Sequence, residues 1–193
     1  MTTPLQSRFV ISVILGLLLL SWTFGQNPVD ANLPSIQQAG FEPVIPILAR
    51  KTGVPVLVPS SLPYDREEVE QFFCTVTSLT HDEYEVTIGF SVDCGGGNAC
   101  RIGSFTGKQS QGRRITGTDD FLFEAKRARR VKLSGGIVGY FVDATCGANC
   151  NDSKVYWKQG GYEYMVGLKA EKVSQVVKLA NSAINRGRNL ISP

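Results

Sequence analysis

Four of the five cysteines occur in two similar short stretches, VDCGGGNAC and VDATCGANC. In each stretch an apolar run ends in Val-Asp and leads into a glycine-containing loop that two cysteines close. Four cysteines allow three connectivities, but hairpin arms favour the local pairs, Cys94 with Cys100 and Cys146 with Cys150. In an oxidising compartment such pairs are normally disulfides. We therefore predict two local disulfides and a buried, unpaired thiol at Cys74.

Three other chemistries remain open for the same loops. A redox pair needs a basic neighbour or a helix N-terminus to lower a thiol pKa, whereas these loops supply Asp and Asn. Zinc bound by the four loop cysteines would have spacings unlike those of zinc ribbons. Calcium would need oxygen ligands, but the candidates do not follow EF-hand order. These candidates are Asp93, Asp143, Asn151 and Asp152. We expect no metal and no cofactor.

The sequence offers no recognisable catalytic set. His81 is the single histidine, in a predicted turn beside Asp82 and Glu83. The serine-hydrolase elbow, the zinc-protease helix motif and the phosphate loop are all missing from the sequence. Carboxylate pairs such as Asp119-Asp120 fall in turn-like segments. We predict a non-catalytic protein; the alternative is a carbohydrate-active or other envelope hydrolase whose two carboxylates the sequence cannot pair.

A basic run is the strongest candidate for binding. With two upstream arginines it places seven cations within twenty residues: Arg113, Arg114, Lys126, Arg127, Arg129, Arg130 and Lys132. Such a patch predicts an anionic partner, such as phospholipid headgroups, a wall polymer or an acidic protein. The alternative is an ordinary solvated loop and strand face. A net charge of +3 is too small to indicate a nucleic-acid partner.

The N-terminus is typical of an export signal. After Arg8, sixteen residues from Phe9 to Phe24 carry no charge, which is short for a membrane span of roughly 20 apolar residues. We predict a signal peptide or an uncleaved N-terminal anchor at residues 1–25, and a linker at 26–42. The rest of the chain is then periplasmic or extracellular, and membrane-associated if the anchor is kept.

Proline placement and alternation predict the fold. Eight of the nine prolines precede Tyr64 and the ninth is the last residue, and the proline-free stretch from Tyr64 to Ser192 suits an antiparallel sheet. Residues 84–92 alternate, with Tyr84, Val86, Ile88, Phe90 and Val92 on one face. Further apolar runs predict six to eight strands in all. We predict one α+β domain over 43–193: an antiparallel meander sheet with a C-terminal helix packed on one face and a short N-terminal helix.

Two helices and one edge segment complete the prediction. Apolar residues at helical spacing from Val173 to Ile184 predict a helix over 171–186 that packs on the sheet. Gly187 would end that helix as its C′ glycine. Residues 43–53 predict the short helix, and VPVLVPSSLP predicts an extended segment at the edge of the sheet.

The C-terminal third resembles a bacterial, cyanobacterial-type extracytoplasmic domain of unknown function, of the kind attached to anti-sigma-factor-like regulators. The matching residues are Trp157, Gly161, Tyr164, Leu179, Ala180 and Ser182, together with the VPVLVPSSLP entry segment. The resemblance implies a binding or sensing module without a known ligand. It carries over no catalytic residue, and the two cysteine loops depart from the usual pattern.

Overall fold

The computed structural model describes residues 37–64, 71–92, 94, 97–110 and 128–191. An eight-stranded antiparallel sheet and two α-helices form its frame. The strands are β1 Gln37–Ala39, β2 Phe73–Leu79, β3 Glu83–Gly89, β4 Arg101–Gln109, β5 Arg129–Lys132, β6 Val138–Val142, β7 Asp152–Gln159 and β8 Tyr162–Lys169. The helices are α1 Ile45–Lys51 and α2 Val173–Ile191. The predicted α+β class, the packed C-terminal helix and the short N-terminal helix are confirmed.

The sheet consists of two four-stranded meanders. Its order is β1-β2-β3-β4-β8-β7-β6-β5, so the meanders meet where β4 pairs with β8. The β7–β8 turn uses Gly160 and Gly161, whose φ angles are 60° and 85°, as a two-residue hairpin turn requires. Because all neighbours are antiparallel, the β3–β4 and β6–β7 loops leave the same end of the sheet. The C-terminal end of β8 lies between them.

Alternation along the strands gives the sheet a covered face and an open face. Side chains of the covered face pack against α2 and the 54–58 segment. Paired positions include Val86 with Phe105, Phe105 with Val166, and Val166 with Val155. Helix α2 contributes the buried residues Val176, Leu179, Ala180, Ala183 and Ile184. Complete burial of a Val, Leu or Ile side chain contributes about 1.5–3 kcal/mol, so the contact between α2 and the sheet stabilises the fold substantially.

The predicted boundaries differ from the structure in four places. Strand β1 pairs with β2 inside the predicted linker, so the sheet begins before residue 43. The VPVLVPSS segment forms no strand, and its residues Val54, Leu57 and Val58 are buried over the covered face at 3%, 5% and 1% exposure. Strand β3 ends at Gly89, which leaves Phe90 and Val92 exposed instead of buried.

The fourth difference concerns the C-terminal helix. The predicted stop at Gly187 is wrong, because α2 continues through it to Ile191. Gly187 is buried, and a Cβ on it would lie 2.2 Å from Cδ2 of Leu57. The glycine is therefore explained by the close approach of the 54–58 segment, which sequence periodicity does not reveal. None of the helices in the described part of the chain is long and apolar enough to cross a membrane.

Candidate functional site

Both predicted disulfides are present at one end of the sheet. Cys94 pairs with Cys100 in the β3–β4 loop, and Cys146 pairs with Cys150 in the β6–β7 loop. All four sulfurs are thus occupied, so they hold no zinc in this state. Cys74 is free and fully buried on β2. Two disulfides are consistent with an oxidising compartment; the predicted signal segment, residues 1–25, lies outside the described residues.

Three of the four residues considered for calcium are described, and each has a partner within the protein. Asp152 is buried at 2% exposure and forms an ion pair with Arg101. The Asn151 side chain accepts a hydrogen bond from the amide of Thr145, and Asp143 accepts one from the amide of Ala144. Asp93 is not among the described residues. The carboxylates of Asp143 and Asp152 therefore already have partners within the protein, which help to hold the two disulfide-closed loops.

Three members of the basic run lie on the edge strand β5. Arg129 faces the covered side, and its guanidinium lies 5.3 Å from the centroid of the Phe141 ring, a cation–π contact that covers the rim of the core. Arg130 and Lys132 are exposed and project from the open face. The other four predicted positions, Arg113, Arg114, Lys126 and Arg127, lie outside the described residues.

The open face carries further cations on β7. Register places Arg130 opposite Tyr140, and Tyr140 opposite Tyr156. Lys154 and Lys158 flank Tyr156 on the same face of β7. The acidic residue among the outward positions described on β5, β6 and β7 is Asp152, and Arg101 already neutralises it. Lys158 is engaged by Glu163 of β8, so we define the basic surface at β5 as Arg130 and Lys132.

A cavity of about 290 Å³ opens on the other half of the open face. Its floor is β4, where Thr106 projects between two longer side chains. Glu85 on β3 and Met165 on β8 are the cross-strand neighbours of Thr106. Tyr156 stands beyond Met165 and also lines the cavity. The cavity exists because a short side chain lies between long ones on a twisted sheet.

A ladder of alternating charge crosses the sheet beside this cavity. Glu83, Lys108, Glu163 and Lys158 lie opposite one another on β3, β4, β8 and β7. The Glu163 carboxylate lies 2.6 Å from Lys158 Nζ and 3.4 Å from Lys108 Nζ. Burial by itself raises the pKa of Glu163, but the two lysines outweigh it and hold the pKa below its usual range. Glu163 is therefore ionised at neutral pH.

The lone histidine takes no part in either surface. His81 Nδ1 lies 2.9 Å from Asp82 Oδ1 in the exposed β2–β3 turn. The cavity was missed from the sequence because its carboxylates are spread over β3 and β8, which become neighbours of β4 only in the folded sheet. The alternation of residues 84–92 placed Glu85 on the face opposite Tyr84, which was the one available signal. Comparison with family models, curated proteins and solved structures found no match to this chain.

Proposed function

We propose that the chain is an exported, non-catalytic binding or sensing module of the cell envelope that engages an anionic partner. The observation that carries this proposal is the basic surface at the β5 end of the sheet. Arg130 and Lys132 are exposed there, and no carboxylate of the described residues lies within salt-bridge distance of either. The resemblance of the C-terminal third to an extracytoplasmic module supports the same role.

The geometry suits an extended anion better than a small one. Arg130 and Lys132 are alternate residues of β5, so their Cα atoms are about 7 Å apart. Two cations at this spacing match charges repeated along a polymer or a lipid surface. The two disulfides and the antiparallel ladder keep the strands in place, so little conformational entropy is lost on binding.

Binding to an immobilised sulfated polysaccharide and to vesicles containing anionic lipid tests this proposal. We expect retention on at least one of them, decreasing as salt rises because charged contacts are screened. Reversing two charges with Arg130→Glu and Lys132→Glu should weaken retention at least tenfold. The matched control is Lys172→Glu with Lys178→Glu, an equal charge change at exposed positions near or on α2.

Equal loss in the two double variants would show that net charge alone drives the interaction, and would contradict a site at β5. Retention that survives the Arg130 and Lys132 reversal would contradict it as well. Arg129 is left unchanged in this design because its contact with Phe141 supports the core. A folding defect therefore does not imitate a binding defect.

The cavity favours a second candidate, an envelope hydrolase that uses paired carboxylates. Glu83, Glu85 and Glu163 all line it. A general acid of a glycosidase needs a raised pKa, whereas the pKa of Glu163 is lowered. We therefore place this candidate second. Hydrolysis of a polysaccharide that disappears on Glu83→Gln or Glu85→Gln would reverse the order.

A further inference from the structure

The open-face cavity has one anionic wall and one apolar wall. Glu83 and Glu85 project from β3 on one side. Met165 and Tyr156 stand on the opposite side, both half-buried. Thr106 on the floor supplies a hydroxyl between the walls. At roughly 30 Å³ per water molecule, the cavity holds the equivalent of about ten waters.

The carboxylates around the cavity outnumber the lysines that could pair with them. Lys108 and Glu163 also line the cavity, and Lys108 and Lys158 both pair with Glu163. Glu83 accepts a hydrogen bond from the Ser78 hydroxyl at 3.2 Å, a neutral partner. The Glu85 side chain is exposed, and no cation of the described residues lies within salt-bridge distance of it. The β3 wall therefore carries two carboxylates without a cationic partner, facing the Met165 side chain.

We propose that this cavity binds a small ligand in which a cationic amine is joined to an apolar body. The ammonium would lie between Glu83 and Glu85, where a charge-assisted hydrogen bond replaces part of its hydration. The apolar body would cover Met165 and the ring of Tyr156, with a thioether and an aromatic face as its contacts. This site is distinct from the basic surface at β5, so the two proposals stand separately.

A metal ion is a poorer fit to the same carboxylates. Within the described ranges no group of three His, Cys, Asp or Glu side chains is placed to hold one. Ca²⁺ prefers six to eight oxygen ligands, and Mg²⁺ prefers an octahedral set. A metal ion would also make no favourable contact with the Met165 side chain. An organic cation can contact both the carboxylates and Met165.

Phenethylamine is a suitable probe, since it joins an ammonium to an aromatic ring within the available volume. Its binding to the whole protein can be followed by the shifts of backbone amide resonances on β3, β4 and β8. For a ligand of this size we expect a Kd on the order of 1 mM. Phenylacetate and benzyl alcohol, which keep the ring but change the charge, should bind at least tenfold more weakly. Equal binding of all three ligands would overturn the proposal.

Two substitutions locate the site. Glu85→Gln keeps the shape and removes the charge, and should weaken phenethylamine about tenfold. Glu171→Gln, a carboxylate outside the cavity, is the matched control and should leave the affinity unchanged within twofold. Met165→Ala should weaken phenethylamine while leaving the weaker affinity for methylammonium unchanged, because only the aromatic ring contacts the Met165 wall.

The result is independent of the anion-binding proposal. The double reversal of Arg130 and Lys132 should leave phenethylamine affinity unchanged, and Glu85→Gln should leave polyanion retention unchanged. Shifts confined to residues away from β3, β4 and β8 would overturn the cavity site, as would an equal effect of Glu85→Gln and Glu171→Gln.

Discussion

Arg101 and Asp152 form an ion pair that crosses β8 and joins the β3–β4 and β6–β7 hairpins, each of which has a disulfide in its loop. Arg101 begins β4 directly after the Cys94–Cys100 loop, and Asp152 begins β7 directly after the Cys146–Cys150 loop. The pair passes over Gly167 of β8. A Cβ on Gly167 would lie 3.0 Å from the Asp152 carboxylate, so the glycine leaves room for the contact.

Replacing Arg101 by Met should therefore destabilise the protein strongly. The Asp152 side chain is 1% exposed, and a buried carboxylate without its partner costs about 3 kcal/mol or more. Ser104 also donates to Asp152, at 3.3 Å, and Ser104→Ala should cost about 1 kcal/mol. Urea unfolding measures both. Arg50→Met on the exposed surface of α1 is the control, and a loss no larger than this control would show that Arg101 is not needed to hold Asp152.

A second prediction concerns Gly187 in the C-terminal part of α2. Alanine is intrinsically the better helix former by about 1 kcal/mol, but its Cβ would collide with Leu57, which is 5% exposed. Gly187→Ala should therefore lower the free energy of unfolding by about 1–3 kcal/mol. In a Leu57→Ala background the collision is gone, and the same substitution should become neutral or stabilising. A cycle of the four proteins measures this coupling, and additive effects would contradict it.

Glu163 should make stability depend on pH in the acid range. Its folded-state pKa is lowered by Lys158 and Lys108, so its ionised form contributes stability above its unfolded pKa of about 4.3. That contribution is lost as pH falls through the lower folded-state value. Glu163→Gln should cost about 1 kcal/mol at pH 7 and progressively less below pH 4. A difference that stays constant from pH 7 to pH 3 would show that the ion pairs contribute nothing.

The cysteines should react in a fixed order. Burial raises the pKa of the Cys74 thiol to about 12, so it should resist alkylation in the native protein and react only after unfolding. Cys146 is exposed, whereas Cys94 is 5% exposed, so mild reduction should open the Cys146–Cys150 bridge first. Mass spectrometry after timed alkylation follows each site. Native labelling of Cys74 would contradict its burial.

Local sequence patterns predicted much of the fold. Alternation from Tyr84 to Ile88 and the helical stripe from Val176 to Ile184 each describe one element facing one apolar surface, and both patterns are visible in a single chain segment. The disulfides were predictable for a similar reason, because hairpin arms bring cysteines four and six residues apart together. A disulfide within one hairpin joins residues that are close in the sequence, so its prediction does not require the positions of the other strands.

The tertiary structure alone decided the features that involve two distant segments. Gly187 reads as a helix terminator, yet the approach of Leu57 gives it a different role inside α2. Phe90 continues the alternation of β3, yet the stapled loop ends the strand before it. The order β4-β8, which no local pattern encodes, placed Glu85 and Met165 on either side of Thr106 and Glu163 between two lysines. Local periodicity determines the helices and strands. Long-range packing determines which of their outward side chains meet, and the candidate sites depend on that packing.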